Sequence, residues 1–251
     1  MRDEGIHVEG LTKLYGDFPA VDQLSVSVAP GEVLGLVGPN GAGKTTTLRS
    51  IAGIIPPTRG TLTVAGADVV REPVAAKRAL AFVPDEPQLF DALTVREHLQ
   101  FVARLYGVGD ARAKADVLLA ELELLEKQHA FPAELSRGMK QKLAIACGLL
   151  HAPRALLLDE PLTGLDPAGI RRMKATIRAR AAAGVAIILS SHLLHLVEEL
   201  CTRLLVIRRG RVVALGTVAE MVAARPALAG LSLEEVFLAL TDDAPDAPSA
   251  A

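Results

Sequence analysis

The chain has 251 residues, enough for one large α/β domain or two small ones. Its 27 basic and 29 acidic residues nearly balance, which argues against a nucleic-acid-binding protein that relies on a basic face. Half of the residues are hydrophobic but only 3% are aromatic, and tryptophan is absent, so the predicted core is aliphatic.

Cysteine usage and the N-terminus bear on the compartment. The two cysteines, Cys147 and Cys201, form no C-x-x-C pattern, so neither a disulfide framework nor a zinc site is expected. The first residues lack the apolar stretch of a signal peptide, and no run has the length and apolarity of a membrane span. We therefore expect a protein of the reducing cytoplasm that does not cross a membrane by itself.

The N-terminal part of the chain is predicted to be largely β-structure. Residues 6–37 contain apolar and polar side chains that alternate with a period of two, as at Leu24, Val26 and Val28. After a Pro-Gly turn, residues 33–37 form a short apolar run that is typical of a buried strand. Further strands are predicted at residues 61–64 and 81–84.

The composition changes from residue 91 onward. Val95, Leu99, Val102 and Leu105 recur at helical spacing. Helices are predicted up to residue 107, from 110 to about 127, and from about 136. These helices predict a helical subdomain at about residues 91–151, inserted between segments with α/β character.

Strands and helices alternate again after the helical segment. The continuous apolar run at residues 155–158 is typical of a central parallel strand that is covered on both faces. Further elements are predicted at residues 167–183 (helix), 185–189 (strand), 193–201 (helix), 204–207 (strand) and 212–215 (strand). The Asp-, Pro- and Ala-rich residues 241–251 are predicted to be disordered.

A phosphate-binding loop lies between the buried strand at residues 33–37 and the next helix. The pattern G-x-x-x-x-G-K-[ST] matches without a gap, and its glycines allow the backbone N–H groups to surround an anion. Lys44 is predicted to reach the β- and γ-phosphates and to act in catalysis, and the Thr45 hydroxyl is predicted to bind Mg²⁺. The predicted nucleotide-binding residues of this segment are Gly38, Pro39, Asn40, Gly41, Ala42, Gly43, Lys44, Thr45 and Thr46.

Two adjacent carboxylates, Asp159 and Glu160, follow the apolar strand at residues 155–158. In parallel α/β sheets, ligands bind outside the carboxyl ends of the strands. Asp159 is therefore a candidate Mg²⁺ ligand, and Glu160 is a candidate general base for the attacking water. Together with the phosphate loop, the pair predicts a nucleoside triphosphatase that uses Mg²⁺.

The segment from Leu135 to Gln141 resembles the L-S-G-G-Q signature of ATP-binding cassette (ABC) proteins. Other segments match that family in order. Tyr15 resembles the aromatic residue that stacks on adenine, Asp166 lies in a segment similar to the D-loop, and His192 resembles the switch histidine that contacts the γ-phosphate. The resemblance covers roughly residues 4–240. It implies a single α/β ABC ATPase domain: a P-loop NTPase core with a mostly parallel central sheet, an N-terminal antiparallel β subdomain and an inserted α-helical subdomain.

The resemblance also implies that each ATP is shared between two chains. Ser136, Arg137 and Gly138 would face the ATP held by a second cassette, which is an identical chain or a paralogue. ATP would then close the dimer and hydrolysis would open it. The family further implies integral membrane permease subunits that contact about residues 85–99, with the ATPase peripheral on the inner face of the membrane.

Two places depart from the usual family pattern. Arg137 adds a positive charge to the signature, and Met139 removes an amide. Asp85 stands where most cassettes have a glutamine that meets Mg²⁺ and the attacking water; Gln88 follows three residues later and is not expected to replace it. Asp85 is kept as a candidate Mg²⁺ ligand. Both departures, with the continuation at residues 140–143, resemble cassettes of exporter-type systems that have a separate permease.

Two other hypotheses remain open from the sequence. One is a soluble ABC-type ATPase that acts on ribosomes or DNA, although such proteins typically carry tandem cassettes, basic linkers or long coiled coils. The other is a GTPase or nucleotide kinase, although no N-K-x-D motif is present. Taken singly, Tyr15, Ser136 and His192 also have ordinary explanations: a surface ring, a helix N-cap and a polar strand end. We expect an ATPase with ATP and Mg²⁺ as ligands and no nucleic-acid partner.

Overall fold

The computed structural model of the protein describes residues 5–225 and 228–242. The strands are β1 (Ile6–Tyr15), β2 (Phe18–Val28), β3 (Val33–Val37), β4 (Arg59–Val64), β5 (Ala67–Asp68), β6 (Leu80–Val83), β7 (Ala155–Asp159), β8 (Ala186–Ser190), β9 (Arg203–Arg208) and β10 (Arg211–Gly216). The α-helices are α1 (Lys44–Ile51), α2 (Pro73–Ala79), α3 (Val95–Tyr106), α4 (Ala111–Glu121), α5 (Arg137–Leu149), α6 (Pro167–Ala182), α7 (Leu194–Leu200), α8 (Val218–Ala224) and α9 (Leu233–Asp242). Single 3₁₀ turns lie at Leu125–Lys127 and Pro132–Glu134.

The strands form two sheets. The larger sheet has the order β10-β9-β3-β8-β7-β6, and its strands from β9 to β6 run parallel while β10 pairs antiparallel with β9. The smaller sheet has the order β2-β1-β4-β5 and is antiparallel. The predicted α/β fold, with a mostly parallel central sheet and an N-terminal antiparallel sheet, is confirmed.

Strands β3, β7 and β8 form the centre of the larger sheet. Every residue of these three strands is buried, as expected for parallel strands that are covered on both faces. In the register of β7 with β8, Asp159 lies beside Ser190. Because the three strands are parallel, their carboxyl ends meet at one edge of the sheet, where the phosphate loop also begins.

Helices α3, α4 and α5 occupy the predicted helical segment and pack against one face of the larger sheet. Leu99 of α3, Leu119 of α4 and Ile145 of α5 belong to the same buried cluster as Leu158 of β7 and Ile177 of α6. A capping box at Thr94 starts α3, because its side chain and that of Glu97 bond each other's backbone N–H. The helical segment therefore shares its core with the sheet.

Three helices were not predicted from the sequence: α2, α8 and α9. Two of them are short, with one buried residue each, Ala76 in α2 and Met221 in α8. Helix α9 ends at Asp242 and so includes the first two residues of the segment predicted to be disordered; residues 243–251 lie outside the described residues. Within the described parts of the chain, no helix is both long and apolar enough to span a bilayer.

Candidate active site

The phosphate loop joins β3 to α1 and leaves the start of that helix open. The N-cap of α1 is Gly43, with a left-handed φ of 105° and no side-chain hydrogen bond to the first turn. A Cβ atom at Gly43 would lie 2.5 Å from the carbonyl oxygen of Ala20 in β2, so only glycine fits. Because the N-cap has no side chain, the first N–H groups of α1 are left without a cap bond and can bind an anion.

Lys44, the first residue of α1, folds back over the loop. Its Nζ donates hydrogen bonds to the carbonyl oxygens of Gly38 at 2.7 Å and Pro39 at 3.2 Å. Burial lowers the pKa of Lys44, and the nearby charges of Glu160 and Asp159 oppose that change. The predicted phosphate-binding cation therefore lies near Glu160, the predicted general base, and Asp159, a predicted Mg²⁺ ligand.

Asp159 is almost fully buried and uses both carboxylate oxygens. Its Oδ2 accepts a 2.8 Å hydrogen bond from the Thr45 hydroxyl, and its Oδ1 accepts one from the Ser190 hydroxyl. The structure thus brings together the two predicted Mg²⁺ ligands of α1 and β7. Sequence reasoning missed Ser190, although a polar residue at the end of an apolar strand was a usable signal.

Glu160 and His192, both predicted to be catalytic, are in contact. His192 donates to Glu160 Oε2 from its backbone N–H at 3.3 Å, and its Nδ1 lies 2.8 Å from the same oxygen. Glu160 has a left-handed φ of 50°, and its N–H donates to the Ser190 carbonyl at 3.1 Å. Such a conformation costs a non-glycine residue on the order of 1–3 kcal/mol and is concentrated at functional sites.

Lys44, Thr45, Asp159 and Glu160 line a cavity of about 410 Å³, which is large enough for a nucleotide. His192 lies outside that lining, beside Gly38, Pro39 and Asn40 in a neighbouring, smaller cavity. Two exposed aromatic residues at the β1–β2 turn, Tyr15 and Phe18, line the rim of the larger cavity. Tyr15 was predicted, whereas Phe18 was missed; its position directly after the same turn was the available signal. The other lining residues are Ala20, Asn40, Gly41, Ala42, Gly43, Thr46 and Asp85.

The signature lies at the start of α5, and among the described residues it contributes nothing to the cavity lining. Ser136 is the N-cap of α5 and accepts a 3.3 Å hydrogen bond from the Met139 N–H. Gly138 is buried: a Cβ atom there would lie 2.8 Å from the carbonyl oxygen of Gly164. Arg137 extends toward the cavity edge, where its Nη2 lies 3.0 Å from Asp85 Oδ1.

The remaining predicted residues have local partners. Asp166 is the N-cap of α6 and accepts a 2.9 Å hydrogen bond from the Gly169 N–H. Gln88 is exposed, and its Nε2 lies 3.4 Å from the nearby Glu86 carbonyl oxygen. Sequence reasoning missed Gln141, a buried residue of α5 whose Nε2 donates to the Pro84 carbonyl at 3.3 Å. A glutamine inside an amphipathic helix gave no signal of that contact.

Comparison with known proteins identifies the family. The family described as ABC transporter matches residues 21–163, more than half of the chain. The chain belongs to the ABC transporter family. This confirms the predicted family and its nucleotide, ATP, and the enzyme class is that of an ABC-type ATP hydrolase. The hypothesis of an ATPase that acts on ribosomes or DNA is not favoured.

Individual relatives of this ABC ATPase are ATP-binding subunits. It is 39% identical over 239 residues to Nod factor export ATP-binding protein I of Paraburkholderia xenovorans (strain LB400), covering 94% of this chain and 78% of the relative. It is 38% identical over 223 residues to daunorubicin resistance ATP-binding protein DrrA3 of Streptomyces coeruleorubidus, covering 88% and 71%. A solved structure described as the ATP-binding subunit of an ABC transporter superposes with a TM-score of 0.89 at 34% identity, covering 94% of this chain and 99% of that one.

Proposed function

We propose that this ABC ATPase powers export through a separate integral membrane permease, as one of two cassettes that close around ATP. The observation that carries the proposal is the cavity at the carboxyl ends of β3 and β7. There the open start of α1, the Lys44 cation, the Thr45–Asp159 pair and Glu160 meet, and His192 contacts Glu160 from outside the cavity lining. Each of these groups matches one requirement of ATP hydrolysis.

The α1 side of the cavity would bind the nucleotide. The N–H groups of residues 41–46 and the Lys44 ammonium would hold the phosphates, because both favour negative charge. Tyr15, whose ring is about half exposed at the cavity rim, would stack on the adenine. Phe18, the adjacent rim residue, would extend that apolar surface.

Mg²⁺ fits the donors present. Mg²⁺ prefers oxygen ligands and is usually bound by one or two carboxylates together with substrate phosphates. The Thr45 hydroxyl and the Asp159 carboxylate are such an oxygen pair, and among the described residues no group of three or more His, Cys, Asp or Glu side chains could hold a metal unaided. Thr45 and Asp159 would hold the ion, with Asp85 as a further candidate, and the ion would neutralise phosphate charge.

Glu160 would act as the general base for the attacking water. His192 restrains its carboxylate through two contacts at one oxygen, so the other carboxylate oxygen is left for a proton. In the protonated ring both nitrogens are donors, so Nδ1–H would donate to Glu160 and Nε2–H to the γ-phosphate. The left-handed backbone of Glu160 supports this role because strained conformations are concentrated at functional sites.

The signature would complete the site of a second cassette. Ser136 and Arg137 are exposed at the start of α5, outside the cavity of their own chain, and a helix start favours anions. Ser136, Arg137 and Gly138 would therefore face ATP on an identical or paralogous chain. Asp166 follows Gly164 and Leu165, which lie against Gly138, so it would lie near the interface.

An exposed aromatic face on the helical segment supports the permease contact. Phe90, in the loop before α3, and Phe101 of α3 pack edge to face with ring centroids 5.2 Å apart, and both rings are about half exposed. His98 holds this arrangement in place: its Nε2 accepts from the Phe90 N–H at 3.0 Å, and its Nδ1 lies 2.8 Å from the Thr94 carbonyl. We propose that Phe90 and Phe101, with the predicted region 85–99, contact the permease. The chain would then lie on the inner face of the membrane.

Purification of the tagged chain from membranes of its native host tests this function. We expect an integral membrane protein to co-purify, and the complex to hydrolyse ATP. Phe90→Ser combined with Phe101→Ser should abolish co-purification but retain ATP binding. Val117→Ser on α4 is the matched control, because Val117 is at least as exposed. A chain that hydrolyses no ATP, or that captures no membrane protein, would contradict the proposal.

A further inference from the structure

An ion pair joins the cavity lining to the first residue of α5. Asp85, which follows β6 and lines the cavity, pairs with Arg137 at 3.0 Å. The two residues are 52 positions apart in the chain. They are also the charged departures from the usual family pattern, so one contact links two unusual residues at the edge of the proposed ATP site.

Helix α5 holds this pair by contacts other than the charges. Gln141 lies one turn after Arg137 on the same helix face and donates to the carbonyl of Pro84, the residue before Asp85. A Cβ atom at Gly164 would lie 3.1 Å from Arg137 Cδ, so the methylene groups of Arg137 rest on the loop after β7. The guanidinium is thereby directed toward Asp85, while the side chain stays about half exposed.

The charges that line the cavity indicate what the Arg137–Asp85 ion pair does. Three carboxylates line the cavity, those of Asp85, Asp159 and Glu160. Asp159 and Glu160 have hydrogen-bond partners within the site, Thr45 and His192 among them, whereas Asp85 lies at the rim against α5. A triphosphate carries several negative charges, so an unbalanced carboxylate at the rim would repel it.

We propose that Arg137 is a positioning residue for Asp85 of its own chain: it holds the carboxylate against α5 and offsets its charge, so that the cavity accepts a triphosphate. This inference rests on the proposed function, because it requires ATP in this cavity. It assigns Arg137 a task within one chain, separate from any contact that it makes with the ATP of a second cassette.

Equilibrium binding of a fluorescent ATP analogue in EDTA, at protein concentrations where the chain is monomeric, tests the proposal without hydrolysis or metal. Arg137→Gln should weaken binding about threefold to fivefold, as expected for one partly exposed charge. The loss should shrink at high ionic strength. Arg137→Lys should bind within about twofold of the wild type, because the charge is retained.

The decisive measurement is the double variant. If Arg137 acts through Asp85, then Arg137→Gln should have little effect in an Asp85→Asn background, because no charge is left to offset. Arg172→Gln is the matched control: Arg172 is similarly exposed and pairs with Glu123, outside the cavity lining. It should bind like the wild type, and thermal unfolding of each variant checks the fold.

An equal loss from Arg137→Gln in both backgrounds, or no loss at all, would overturn the inference. Both results would leave the proposed function intact, since the wild type would still bind ATP. Failure of the wild type to bind the analogue would instead overturn the proposed function and the inference together.

Discussion

Two helix starts in this ABC ATPase, those of α1 and α5, are both suited to anions. They differ in whether a side chain of the protein already caps the first turn. At α1, the N-cap is a glycine with no side-chain cap, and the loop before it opens into the cavity. At α5, Ser136 caps the first turn and Gly138 is buried against the Gly164 carbonyl. The α1 end needs a ligand to satisfy its N–H groups, whereas at the α5 end the Ser136 side chain already bonds one of them, the N–H of Met139.

This difference suggests a division of work. The α1 end, with Lys44 and the carboxylates beside it, should bind ATP within one chain. The α5 end should add only a shared contact to a nucleotide that is already bound elsewhere. Single-chain ATP binding, hydrolysis and dimer formation, when measured independently, distinguish the roles of the two helix starts.

The largest effect is expected on hydrolysis, at the α1 end. Glu160→Gln should lower the turnover rate by about 10²–10⁴-fold, the range for removal of a general base, while ATP binding is retained. Because the γ-phosphate is then preserved, an ATP-dependent dimer should accumulate on size-exclusion chromatography. Phosphate release is the rate measurement, and Glu126→Gln, at an exposed position of the helical segment, is the control. Unchanged turnover would remove Glu160 from the role of base.

A smaller effect is expected on binding at the same end. Lys44→Ala removes the cation over the phosphate loop and should weaken single-chain ATP affinity about tenfold to a hundredfold, the value of one or two charge-assisted hydrogen bonds. Isothermal titration measures it, with Lys114→Ala on α4 as the control for loss of a lysine. Wild-type affinity in Lys44→Ala would mean that the α1 end does not hold the phosphates.

The smallest effect is expected at the α5 end. Ser136→Ala and Thr94→Ala each remove the side-chain cap of a helix, and each should lower the free energy of unfolding by about 0.5–2 kcal/mol. Single-chain ATP affinity should be unchanged in both. In a Glu160→Gln background, only Ser136→Ala should reduce ATP-dependent dimer formation. If the two variants behave alike in that assay, Ser136 is merely a cap and the two helix ends are not functionally paired.

Sequence reasoning succeeded where the chemistry lies in contiguous residues. The phosphate loop and the acid pair at the end of β7 are local patterns, and the parallel sheet brings them together through a hydrogen bond between Thr45 and Asp159. Sequence reasoning could not find contacts between segments that are far apart in the chain. The Arg137–Asp85 pair and the Gln141–Pro84 bond join α5 to residues more than fifty positions away, and nothing local marks either one.

The unpredicted helices at the C-terminal end did carry a local signal. Thr217 precedes α8 and forms a capping box with Glu220. Ser232, before α9, exchanges the same bonds with Glu235. Both fit the pattern [ST]-x-x-[DE], which is typical of a helix start. The periodic apolar segments that follow Thr217 and Ser232 are short, so the helices were not predicted. The same capping pattern at Thr94 precedes a longer periodic segment, and that helix was predicted.

The core that α3, α4 and α5 share with the larger sheet determines how the chain must fold. Leu119 and Ile145 pack in one cluster with Leu158 of the sheet, so removing residues 91–151 would expose the sheet face as well as the helices. We expect the helical segment and the sheet to unfold in one cooperative transition rather than as separate units. A chimera that exchanges this segment between cassettes would therefore have to match buried side-chain volumes across the boundary, and not only the residues at its surface.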